Sequence, residues 1–142
     1  MATQYKNEIR KQVQLDYKYI KSSIMSQAKS GQYDDYDKCK NITVDVYSEQ
    51  LLKFVSRKLN QDIIIHGGIR NQSATYYISN PQMYNYYLSE IRNLANVDKI
   101  KISVVFKDNA KRIEFEGLPC TVNNHIVYPR DYALYLRCSI QY

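Results

Sequence analysis

A chain of 142 residues with 44% hydrophobic and 24% charged side chains has the composition of a globular protein, long enough to bury about 68–70% of its unfolded surface in one domain without disulfides or metals. No apolar run approaches the roughly 18 residues of a membrane span, and the start MATQYKNEIRK is polar, so a soluble intracellular protein is expected. The net charge of +6 suits an anionic partner, and 15 tyrosines against three phenylalanines and no tryptophan supply flat surfaces apt for core edges, subunit interfaces and base stacking alike.

In chain order, residues 2–29 read as a long amphipathic helix, with Ile9, Val13, Tyr17, Ile20 and Ile24 at helical spacing and Lys6, Arg10, Lys11, Lys18 and Lys21 mostly off that stripe. Gly31 should end it, and the polar stretch 32–41 (QYDDYDKCKN) reads as an exposed loop. Residues 42–47 alternate as a strand, and Ser48 can cap a helix over 49–60 that buries Leu51, Leu52, Val55 and Leu59 and turns Lys53 and Arg57 to solvent. The β-branched run 62–66 and residues 74–79 are expected to pair as a hairpin across Gly67-Gly68.

Asn80-Pro81 is a helix start, and from there to Ala95 the stripe Tyr84, Tyr87, Leu88, Ile91, Leu94, Ala95 should be buried, with Gln82, Tyr86, Ser89 and Asn93 outside. Residues 99–107 and 112–116 alternate on either side of Asp108-Asn109, an antiparallel hairpin. A short strand at 126–128 and a final one at 131–142 would complete a meander, the last with Tyr132, Leu134, Leu136, Cys138 and Ile140 on a dry face and Tyr135 and Arg137 on a wet one. The expected fold is a single α+β domain over 1–142, an antiparallel sheet packed against three helices. A strand at the end of the chain is also a candidate edge, where subunits join.

Catalytic motifs are missing from this pattern. The four glycines form no phosphate loop, and Cys39, His66, Cys120, His125 and Cys138 show no metal-ligand spacing. A Cys120 nucleophile with His125 as base would lack an orienting third group. Three cysteines at unrelated spacings suit reduced thiols in a cytosol-like compartment. The basic residues are more informative. Arg112, Arg130 and Arg137 on or beside the last strands, with Lys99, Lys101 and Lys107 on a neighbouring one, present cations whose guanidinium forks match phosphate oxygens, beside tyrosines able to stack on a base. The N-terminus of the Asn80-Pro81 helix adds free backbone N–H groups.

The long first helix, the Tyr-rich helix opening NPQMYNYYLSEIRN and the C-terminal strands carrying KRIEFEG and VYPRDYALYLRC together resemble the first family of phage anti-Thoeris proteins. These are non-catalytic sponges that sequester the glycocyclic ADP-ribose isomer of Thoeris defence, and some take up cyclic trinucleotides at separate sites. The resemblance implies a homo-oligomer, a dimer or trimer of dimers with pockets at subunit interfaces, acting in the cytoplasm of an infected bacterial host without cofactor or metal. It also implies that Tyr84 or its neighbour Tyr86 stacks on adenine, that Asn93, Arg112 and Arg130 hold ribose and pyrophosphate, and that Arg57 serves a second site. Helical spacing puts Tyr84 on the buried stripe and Tyr86 outside it, leaving the choice between them open. Two other readings fit the same charge and tyrosines: a nucleic-acid-binding module and a small protein–protein inhibitor.

Overall fold

The computed structural model describes residues 3–30, 42–61, 72–108, 113–124 and 132–140. Its first element, α1 (Thr3–Ser30), buries the expected stripe of Ile9, Val13, Tyr17, Ile20 and Ile24. That stripe packs against α3 (Pro81–Val97), which opens as the sequence suggests: Asn80 Oδ1 accepts from the Met83 N–H at 3.3 Å and Pro81 takes the first turn. Two hydrogen bonds stitch the helices in opposite senses. Tyr17 on α1 donates to Asp98 at the end of α3, and Tyr87 on α3 donates to Asp16 on α1. Burial and the adjacent carboxylate push both phenols well above their ordinary pKa, so both stay protonated donors.

Both helices cover one face of a four-stranded antiparallel sheet of order β1 (Thr43–Tyr47), β7 (Tyr132–Ile140), β4 (Ile100–Asp108), β5 (Ile113–Glu116). The terminal strand β7 is therefore interior, with β1 on one side (Val46↔Leu136) and β4 on the other (Val104↔Leu136). Its place at the end of the chain made it a candidate edge, which the observed order corrects. Two neighbours suit its pattern better, because Leu134, Leu136 and Cys138 need cover from strands with matching alternation, which Ile42, Val44 and Val46 and Ile100, Ile102, Val104 and Phe106 supply.

The expected helix over 49–60 is the main correction. Ser48 does cap a helix, its Oγ accepting from the Leu51 N–H at 3.2 Å, but this α2 (Glu49–Leu52) is a single turn. The chain then enters β2 (Val55–Gln61), which pairs with β3 (Gln72–Ile78) and through it with β6 (Cys120–Asn124) in a separate three-stranded sheet. Tertiary pairing overrides the helical spacing here: the Phe54 carbonyl accepts from the Ser79 N–H at 2.7 Å and so starts the β2–β3 ladder. Leu59, expected in the core, is left 52% exposed. The partner of β3 is thus 55–61 rather than 62–66, and the segments 32–41, 62–71 and 125–131 lie outside the described residues. Three helices against antiparallel strands give the α+β, single-domain arrangement expected, with the strands divided between two sheets.

Candidate ligand-binding site

The two sheets meet through one face of the smaller one. Arg57, Tyr76 and Cys120 are direct cross-strand partners on β2, β3 and β6, so their side chains project to the same side. The Tyr76 ring lies 4.5 Å from Phe106 on β4 and 4.8 Å from Tyr132 on β7, and those two rings are 5.6 Å apart. These spacings are those of favourable tilted aromatic pairs. Asp108, cross-strand partner of both Tyr132 and Ile113, is only 2% exposed in the same region.

Hydrogen bonding is incomplete within this cluster. Burial raises the Tyr76 phenol, and the neighbouring Arg57 guanidinium opposes that shift. One guanidinium nitrogen, Arg57 Nη1, is buried and has no hydrogen-bond partner. A buried donor on a charged group that goes unmet carries a desolvation penalty that an anionic oxygen would relieve. Arg57 stands on the edge strand β2 and is half-buried as a residue, so solvent reaches the side chain. Burial and the Asp108 charge push the Cys120 thiol up to about 11. It is a neutral thiol at physiological pH, which makes it a poor nucleophile.

The residues named from the sequence fall in different surroundings. Tyr84 is 5% exposed on the core stripe of α3. Asn93, nine positions further on, lies about 180° around the helix and is exposed, so the two cannot grip one ligand from a single subunit. Tyr86 shares the face of Asn93, but Lys6 and Arg10 of α1 already sit over its ring, 5.8 and 5.9 Å from the centroid. Arg57, expected on the solvent side of a helix, is instead in the sheet junction. Arg112 and Arg130 lie outside the described residues. In sequence they stand one and two positions before Ile113 and Tyr132, the two cross-strand partners of Asp108. The convergence of Tyr76, Phe106, Asp108 and Tyr132 escaped the sequence reading. Its only signal was the alternation Val55, Arg57, Leu59 against Ser56 and Lys58, hidden inside an equally good helical pattern.

The wet face of the larger sheet, the other expected anion site, supplies its own counter-ions. Arg137 grips Asp45 with both prongs, Nε to Oδ1 at 2.9 Å and Nη2 to Oδ2 at 3.0 Å, and also meets Glu114. Lys107 reaches the same carboxylate at 2.9 Å and lies 4.7 Å from the Tyr135 ring centroid, while Tyr47 packs edge-on against Tyr135 at 5.9 Å. Arg137 first, then Lys107, holds the Asp45 carboxyl below its usual range. Lys99, placed by the alternation on this face, precedes β4 and closes α3 instead.

Among the described residues no group of His, Cys, Asp and Glu could hold a metal ion, and no helix is long and apolar enough to cross a membrane. No protein-family model, curated protein or solved structure matches the chain.

Proposed function

We propose that this protein binds and sequesters a small phosphate-bearing ligand at the junction of its two sheets, without turning it over. The observation that carries this reading is the buried, unpartnered Nη1 of Arg57 beside the Tyr76–Phe106–Tyr132 cluster. A phosphate or pyrophosphate oxygen would complete the guanidinium fork, and the half-buried Tyr132 ring offers apolar area to a base. Cys120, the nucleophilic side chain in this cluster, stays protonated, in keeping with binding rather than turnover.

The resemblance to anti-Thoeris sponges gives the ligand to try first, a glycocyclic ADP-ribose isomer, followed by cyclic trinucleotides. It also implies a homo-oligomer, in which a partner copy could bring Tyr86 and Asn93 to a ligand that one subunit cannot grip with Tyr84 and Asn93 together. Calorimetry with the cyclic ADP-ribose isomer, run alongside native mass spectrometry, tests both parts. Saturable heat that is lost in Arg57→Met, from a folded assembly larger than a monomer, is the expected result. A folded protein giving no heat with any of these nucleotides overturns the reading.

A further inference from the structure

A cavity of about 290 Å³ opens where α1, the end of α3 and the paired residues Ile100 and Ile140 of β4 and β7 come together. Its walls are apolar: Ile24 and Ile100 are buried, Ile140 is half-buried, and Met25 is 53% exposed at its lip. Its rim is charged. Asp98 already accepts the Tyr17 hydroxyl and is bridged by Lys21 at 3.4 Å, and the Tyr17 hydroxyl, then Lys21, keep its carboxyl below the usual range. Lys99, also on the rim, has no acidic partner among the described residues, so the lining carries one cation in excess.

The backbone at that cation is unusual. Lys99 has φ 57°, the left-handed conformation that closes α3, with its N–H on the Asn96 carbonyl at 3.2 Å. Glycine takes this position without penalty, and any L side chain is strained there. A cationic side chain thus stands on a strained residue, where glycine would be the easier choice, beside an apolar cavity whose described lining carries one cation in excess.

We propose that this cavity is a binding site for a small amphipathic anion, with an apolar body against Ile24, Ile100 and Ile140 and a carboxylate-like head on Lys99. The cavity's volume of about 290 Å³ leaves room for a short alkyl chain. The site does not involve Arg57 and stands or falls separately from the sheet junction.

Methyl NMR titrations with octanoate, octanol and octylamine test it, on the wild type and on Lys99→Gly. Octanoate should shift the Ile24, Ile100 and Ile140 methyl signals saturably, with octanol and octylamine about tenfold weaker or more, the worth of one charge-assisted contact. Lys99→Gly should raise the melting temperature, since it relieves the strain, and yet lower octanoate affinity to that of octanol. That opposite movement separates a ligand clamp from a merely structural lysine. The proposal is overturned if octanoate gives no saturable shift, if the three probes bind alike, or if Lys99→Gly binds octanoate as the wild type does.

Discussion

Two arginines in this protein sit among aromatic rings on paired strands, and their circumstances are opposite. Arg137, on the open face of the larger sheet, is met by Asp45, Glu114 and a neighbouring lysine that shares the same carboxylate. Arg57, on the cross-strand position beside Tyr76, keeps Nη1 buried and unmet. On the open face the sheet has neutralised its own charge; at the junction one buried guanidinium nitrogen is left without a partner. Counting basic residues along strands therefore does not locate the site, because a cation can be fully matched by the next strand, as Arg137 is, or keep one buried nitrogen open, as Arg57 does.

The comparison breaks first at the ring that defines the junction. Tyr76 is 1% exposed and touches both Phe106 and Tyr132. Tyr76→Ala removes the bridge between the sheets, and by the cost of large-to-small core changes should destabilise the fold by about 3–5 kcal/mol in chemical denaturation. A loss below about 1 kcal/mol would mean that the two sheets do not share this core.

Arg137→Met comes next. It strips Asp45 of its bidentate partner and Glu114 of its cation, leaving Asp45 to Lys107. The side chains involved are 22% to 43% exposed, so solvent screening discounts the loss to about 1–2 kcal/mol. A double-mutant cycle with Asp45→Asn measures the coupling directly, and additive effects would show the network to be ornamental.

These two sites also show what could be read from the sequence. The strands of the larger sheet announced themselves, because Ile42, Val44 and Val46, then Ile100 to Phe106, then Leu134 to Cys138, alternate with period 2 against a single dry face. Ser48 and Asn80-Pro81 were legible for a local reason, since a cap needs only its own next turn. β2 was not. Leu51, Leu52, Val55 and Leu59 fit a helix as well as Val55, Arg57 and Leu59 fit a strand, and the choice is made by β3, whose pairing is non-local. The site suffered most: Arg57 was named but on the wrong element, Tyr84 was named although its own stripe buries it, and the meeting of Tyr76, Asp108 and Tyr132 depends on contacts between residues far apart in sequence.

Acid separates the two arginines in another way. The Asp45 carboxyl is lowered by Arg137 and Lys107, so its contribution is fully present above the unfolded-state pKa of about 3.9 and is lost as pH falls through the lowered folded value. Wild-type stability should therefore fall with acid below about pH 4 more steeply than that of Asp45→Asn, which lacks the linkage. Parallel curves for the two proteins would show that Asp45 is not held below its usual range.

The smallest expected change in stability is the most informative. Arg57→Met gives up the favourable neighbourhood of guanidinium and Tyr76 phenol, a loss of about 0.5–1.5 kcal/mol, and removes a buried donor that has no partner, a gain of similar size or larger. Methionine also fits the apolar side of the cluster, with a flexible thioether beside the Tyr76 ring. The net should lie within about 0.5 kcal/mol of the wild type or favour the variant, in contrast to the clear loss at Arg137. The contrast carries the functional argument: an arginine that contributes nothing to the empty fold, but whose removal ends nucleotide binding, is held there for the ligand. If Arg57→Met instead destabilises as much as Arg137→Met, Arg57 is a structural strut, and the buried nitrogen is not waiting for an anion.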